Sequence, residues 1–197
     1  MDTNLNCTHP DGDYCVDCVS LIDPPYVNKF SPHCSFKHKL LREIARRFKF
    51  EVFVETGTNQ GTTLEFLKDE FRELYSIELH EGLFSRALDK FKNQDKIHLV
   101  FGNSALVLGA ILNKIHESAL MWLDAHATGG PSADAGDPLP QELAAIFEKA
   151  PQSLAVLDDQ WPINFENTVV PDGWTKKWYH GLTFIYKTGL YDIPERF

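Results

Sequence analysis

The sequence predicts a doubly wound α/β domain whose sheet is mostly parallel and closes on an antiparallel C-terminal hairpin. Two observations carry that expectation. Between residues 51 and 158, five short apolar runs alternate with segments of helical period; such alternation means right-handed crossovers and a parallel sheet covered on both faces. The chain has 197 residues, 43% of them hydrophobic and 24% charged, which suits one packed domain and excludes a disordered chain, a collagen-like repeat or a disulfide miniprotein.

The domain is expected to occupy residues 36–197 and to open with a helix over residues 36–49. Leu40, Leu41, Ile44 and Phe48 share one face of it, Ser35 is a candidate N-cap, and the opposite face is basic, with Lys37, Lys39, Arg42, Arg46, Arg47 and Lys49 against the single Glu43. The first strand is expected over residues 52–55 with a helix from Thr62 to about Phe71, and the second over 74–78 with a helix from Gly82 to Lys92. The third strand spans 97–101 with a helix from Ser104 to Ile115, the fourth 119–124 with a helix from Pro140 to Lys149, and the fifth 154–158. After a stretch rich in Pro, Asn and Gly, read as loop, residues 175–180 and 182–188 form two strands meeting near Gly181.

In an open α/β sheet, ligands bind beyond the carboxyl ends of the strands. Four of the five strands end on an acidic residue, Glu55, Glu78, Asp124 and Asp158, and the third is followed by Gly102-Asn103-Ser104. Polar residues at strand ends also mark simple passage into solvent, an explanation that fits any one of the four more readily than all of them. The first strand-to-helix turn reads Glu55-Thr56-Gly57-Thr58-Asn59-Gln60-Gly61-Thr62-Thr63. Its glycines permit close approach of backbone to a ligand, but the Gly-x-Gly-x-x-Gly spacing of dinucleotide sites and the P-loop Lys are both absent. Glu78 is placed to accept hydrogen bonds from ribose hydroxyls. A nucleoside without a pyrophosphate fits these facts; a glycine pair that merely packs a helix would leave Glu78 unaccounted for.

These residues resemble the class I S-adenosylmethionine-dependent methyltransferases, whose first motif has the form acidic-x-Gly-x-x-x-Gly; Glu55, Gly57 and Gly61 match it, and the likeness runs over residues 36–188. The resemblance implies a Rossmann-like sheet with S-adenosylmethionine as cofactor. It places the turn Glu55, Thr56, Gly57 to Gly61, Thr62 and Thr63 around the methionine part, Glu78 on the ribose, Asn103 and Ser104 beside the adenine, and Asp124 at the reacting end. Asn103 departs from the family, which more often has Asp there.

A second constellation is Asp124-Ala125-His126, with Asp158-Asp159 one helix later. Carboxylates at the ends of adjacent parallel strands repel unless a cation or proton lies between them, and oxygen ligands of this kind suit Mg²⁺. The pattern is similar to the metal-dependent O-methyltransferases of the catechol and macrocin types, which implies Asp124, Asp158 and Asp159 as Mg²⁺ ligands. His126 is then a candidate general base, with a hydrogen bond to Asp158 or a place on the metal as alternatives. The catechol enzymes instead use a Lys shortly after the metal Asp, and the macrocin type has a second acidic residue where His126 stands. The connection from Ala127 to Pro140 is long for its class and is expected to border the substrate, with Asp134 or Asp137 as further ligands and Glu142 facing the site. Of the aromatic residues after the fifth strand, Trp161 is a substrate-contact candidate, while Trp178 and His180 read as sheet packing.

Residues 1–35 form a loop-rich arm holding all four cysteines, Cys7, Cys15, Cys18 and Cys34. Cys15-Val-Asp-Cys18 has the gap of a zinc knuckle, and Cys7 or His9 with His33 or Cys34 would complete a Zn²⁺ site; unliganded cysteines are the alternative. The net charge of −9, from 28 acidic and 19 basic residues, disfavours a nucleic-acid partner. No leader and no membrane span is expected, so the chain reads as cytoplasmic. The leading expectation is a methyltransferase that O-methylates a small hydroxylated molecule with help from Mg²⁺. Metal-independent O- or N-methylation through Asp124 and His126 is the runner-up, and a non-catalytic S-adenosylmethionine-binding interaction module the third. A homodimer, with the arm crossing between protomers, stays open.

Overall fold

The computed structural model describes residues 35–125, 136–158 and 162–194. Each apolar run becomes a strand and each periodic segment a helix, in the order α1 (Ser35–Phe48), β1 (Val52–Thr56), α2 (Thr62–Leu67), β2 (Glu73–Glu78), α3 (Glu81–Phe91), β3 (Ile97–Phe101), α4 (Ser104–Leu112), β4 (Ala119–Leu123), α5 (Leu139–Lys149), β5 (Leu154–Leu157), α6 (Pro162–Asn167), β6 (Trp174–Tyr179) and β7 (Leu182–Lys187).

The strands form one seven-stranded sheet in the order β3-β2-β1-β4-β5-β7-β6. Strands β1 to β5 are parallel, whereas β7 runs antiparallel to both β5 and β6. The expected hairpin is therefore present, and its second strand is the one that joins the sheet. His180 and Gly181, both with positive φ (47° and 80°), make its two-residue turn, the geometry that matches the twist of the flanking strands.

Strand alternation sends successive side chains to opposite faces. One face carries Phe53, Leu74, Leu120, Trp122, Val156 and Phe184 and is covered by α1, α2 and α3 through Leu41, Ile44, Leu64, Leu67 and Phe91. The other carries Val54, Ile77, Met121, Leu157 and Ile185 and is covered by α4 and α5 through Leu108, Leu112 and Ile146. The central strands β1, β4 and β5 are buried along their whole length, as expected where helices lie on both sides.

Two elements differ from the sequence expectation. Helix α2 stops at Leu67 and not near Phe71, because the chain must turn for Phe71 to enter the core, 3% exposed and 5.1 Å from the Phe53 ring. Helix α6 lies in the stretch read as loop. Pro162 sits in its first turn, where a missing N–H costs nothing, and Lys176 of β6 caps its end, its Nζ donating to the carbonyls of Phe165 (2.7 Å), Glu166 (3.2 Å) and Thr168 (2.8 Å).

Candidate functional site

The face that carries Phe53 also carries, by the same alternation, Glu55 at the end of β1, Ser76 and Glu78 on β2, and Asp158 just beyond β5. The sequence-predicted acidic residues thus meet at one end of the sheet, under the N-terminal turns of α1 and α2.

Glu55 is 1% exposed. Burial pushes its carboxyl up to about 8, with neighbouring Glu78 acting in the same direction; hydrogen bonds from Ser76 and Thr63, and the charge of Lys90, pull the other way. Ser76 Oγ donates to Glu55 Oε2 at 2.6 Å. With that proton committed, Thr58 Oγ1, 2.7 Å away, is the donor to Ser76. The result is a buried chain of hydroxyls ending on a carboxyl that is largely protonated near neutrality.

The glycine turn is fastened at several points. Gly57 and Thr58 both donate their N–H to the Ile77 carbonyl (2.9 and 3.2 Å). The Asn59 N–H donates to Glu78 Oε2 (2.8 Å) and the His80 N–H to Glu78 Oε1 (2.8 Å). Each carboxylate oxygen keeps a second lone pair for a further donor. Lys90 of α3 donates to the carbonyls of Gln60 (3.1 Å) and Gly61 (3.0 Å). Gly57, at φ +87°, lies so close to β4 that a Cβ would stand 2.7 Å from the Asp124 carbonyl oxygen; at Gly61, at φ +66°, a Cβ would stand 2.6 Å from the Phe91 ring. Both positions need glycine.

Asn103 accepts the Ala105 N–H at 2.9 Å and so caps α4, with Ser104 buried behind it and the Gly102 N–H bonded to the Glu78 carbonyl (2.9 Å). Thr62 is exposed and Thr63 half-buried, its Oγ1 3.4 Å from His38 Nε2. His38 stacks on Phe66 at 5.2 Å, and burial, seconded by the charge of Lys37, lowers its pKa to about 4, so it is neutral.

At the other carboxylates, Asp124 is exposed, its N–H bonded to the Thr56 carbonyl at 3.1 Å. Asp158 is 5% exposed and its carboxylate forms an ion pair with the Lys37 ammonium of α1. Among the described residues no group of three or more His, Cys, Asp or Glu side chains is gathered to hold a metal ion. Of the expected Mg²⁺ ligands, the buried carboxylate of Asp158 meets an ammonium and Asp124 is exposed. Asp159, His126, Asp134 and Trp161, together with Cys7, Cys15, Cys18 and Cys34 and the arm that holds them, lie outside the described residues. Asp137, expected as a further ligand, accepts the Leu139 N–H at 3.0 Å and so starts α5; Glu142 is fully buried one turn on. Trp178, expected to pack, is 40% exposed because β6 is the outermost strand, while Trp174 packs 4.6 Å from Phe147.

No protein-family model and no curated protein sequence matches the chain. Solved structures do. The S-adenosylhomocysteine-bound methyltransferase PaMTH1 of Podospora anserina is similar at 12% identity over 90% of this chain and 91% of that one, with a TM-score of 0.60. The O-methyltransferase TomG of Streptomyces achromogenes, solved with S-adenosylmethionine, is similar at 18% identity over 78% and 80%, with a TM-score of 0.58. An rRNA methylase of Streptococcus thermophilus is similar at 11% identity over 80% and 98%, with a TM-score of 0.50. The chain has the class I methyltransferase fold.

On a class I methyltransferase fold, Glu55, Gly57, Gly61, Glu78, Asn103 and Asp124 stand at the carboxyl ends of β1 to β4, the end at which open α/β sheets take their ligands. Sequence reasoning did not find Lys37, His38, Ser76 or Lys90. The basic character of α1 was the only signal for Lys37, and nothing in the spacing tied it to Asp158. No helix among the described residues is long and apolar enough to cross a membrane.

Proposed function

We propose that the chain is an S-adenosylmethionine-dependent methyltransferase acting on an oxygen nucleophile of a small hydroxylated molecule. The observation that carries this reading is the bond from the Asn59 N–H to Glu78 Oε2, which joins the glycine turn to the acidic end of β2. The cofactor, when bound, supplies a methyl group on a positively charged sulfur.

The chain's own residues would do the following. Glu78, held by two backbone donors, keeps lone pairs for the ribose hydroxyls. Gly57 lets the backbone close against β4, and Asn103, its carbonyl oxygen committed to the cap, offers its amide N–H₂ beside the adenine. Asp124 stands exposed where the nucleophile would enter, with His126 as the candidate to take its proton. Asp124 and His126 would orient the substrate oxygen toward that methyl group and take up the proton it releases. The Mg²⁺-assisted form of this chemistry requires Asp158 to part from Lys37; the metal-free form through Asp124 and His126 requires no such exchange, and we favour it. The net charge of −9 favours a small substrate over RNA.

Titration calorimetry with S-adenosylhomocysteine tests the reading. Wild type is expected to bind, and Glu78→Ala to bind about tenfold more weakly, a loss of about 1.4 kcal/mol, the size of a hydrogen bond to a charged group. No heat from wild type with either S-adenosylmethionine or its demethylated product overturns it and leaves an interaction module as the reading.

A further inference from the structure

Helices α5 and α6 border a cavity of about 570 Å³, and none of the residues placed on the cofactor lines it. Each helix starts beyond the carboxyl end of a strand, α5 after β4 and α6 after β5, so the cavity lies at the end of the sheet where Asp124 stands exposed. Its volume is that of a small-molecule site.

The walls are held in place and largely apolar. Leu139, Leu143 and Phe147 line the cavity from α5, and Val169, 81% exposed, lines it from beyond α6. Trp174 packs 4.6 Å from the Phe147 ring. On the α6 side, Thr168 gives both its N–H (2.9 Å) and its hydroxyl (2.7 Å) to the Asn164 carbonyl. Lys176 donates to the carbonyls of Phe165, Glu166 and Thr168, so its ammonium closes that wall. A wall ordered in advance spares a ligand the cost of ordering it.

The polar groups are few. Asn164 and Asn167 bring carboxamides, which both donate and accept. Among the described residues that line the cavity there is no Lys, Arg or His. Asp137, the acidic one, accepts the Leu139 N–H at 3.0 Å and so occupies the N-terminus of α5, where the helix dipole offsets its charge. An anion entering here would lose its water and meet no countercharge. An uncharged molecule would meet apolar surface and two carboxamides.

We infer that this cavity seats the acceptor, and that the acceptor is an uncharged, largely apolar molecule oriented by Asn164 and Asn167. The ligand class rests on the cavity alone; its role as acceptor rests on the methyltransferase reading above.

Equilibrium dialysis of the full chain against β-naphthol, an uncharged hydroxylated aromatic, and β-naphthoate, its anionic counterpart, tests the inference. Wild type is expected to take up one β-naphthol per chain and to bind it about tenfold more tightly than β-naphthoate. Ala144→Trp, at an exposed position of α5 that lines the cavity, is expected to lose β-naphthol while still binding S-adenosylhomocysteine. Asn167→Lys, which adds an ammonium to the wall, is expected to abolish the preference for β-naphthol. No uptake by wild type overturns the inference, as do equal affinities for the two probes, unchanged uptake by a folded Ala144→Trp chain, or displacement of β-naphthol by S-adenosylhomocysteine. If Ala144→Trp does not fold, Asn167→Lys decides, and an unchanged preference overturns the inference. With S-adenosylmethionine present, bound β-naphthol is expected to be methylated; a chain that binds both and never joins them overturns the acceptor role. A wild type that takes up β-naphthol but neither S-adenosylmethionine nor its demethylated product loses the methyltransferase assignment and keeps the ligand site.

Discussion

The α-carbon of Gly57 faces the backbone of Asp124 so closely that a methyl group placed on it would lie 2.7 Å from the Asp124 carbonyl oxygen. The glycine turn and the end of β4 therefore touch through main chain, with no side chain between them. Gly57→Ala meets two obstacles at once, the contact and a φ of +87°. The expected cost is about 1–3 kcal/mol of folding stability, read as a lower thermal midpoint, together with weaker binding of S-adenosylhomocysteine. A variant with unchanged midpoint and affinity would show that the turn relaxes freely.

Glu55 and His38 make opposite contributions to the pH dependence of stability. The carboxyl of Glu55 is raised to about 8 from an ordinary 4.5, so between those values the folded chain keeps a proton that the unfolded chain has lost, and stability falls as pH rises. His38 is lowered to about 4 from 6.5, so between those values the unfolded chain binds a proton that the folded chain refuses, and stability rises with pH. Each slope is about 1.4 kcal/mol per pH unit at most. The two oppose each other up to about 6.5, and Glu55 acts alone from there to about 8. Urea unfolding over this range should show Glu55→Gln removing the decline above 6.5 and His38→Gln extending it downward. A constant gap between wild type and Glu55→Gln from 6.5 to 8 would refute the burial of a protonated carboxyl.

Thr183 on β7 is fully buried, and its hydroxyl has no hydrogen-bond partner among the described residues. A buried hydroxyl left unsatisfied costs free energy that an isosteric methyl does not. Thr183→Val is expected to stabilise the fold by about 1 kcal/mol, seen as a raised thermal midpoint. A destabilised variant would point to a partner for the hydroxyl.

The architecture was legible because its signals are local. Alternating apolar runs and helical periods name the five parallel strands, and His180-Gly181 between two β-rich runs names the hairpin. At the site, Glu55, Glu78, Asp124 and Asp158 were legible as strand ends. What was not legible depends on contacts between distant positions. Helix α6 is held by Lys176, from a strand that follows it. Helix α2 ends early to let Phe71 reach Phe53. Lys37 and Asp158 come from distant positions in the chain, and no spacing rule relates them, so their ion pair could not be read from the sequence.

The place of β7 between β5 and β6 makes the last strand among the described residues an internal one. Among the described residues strand β6 pairs with the sheet through β7 alone, so a polypeptide still lacking residues 182–187 leaves Leu154–Leu157, all apolar, as an edge without that partner strand. Such an edge is a template for association with other chains. Until β7 is in place that edge stays open to aggregation, and truncation before residue 182 would leave it so.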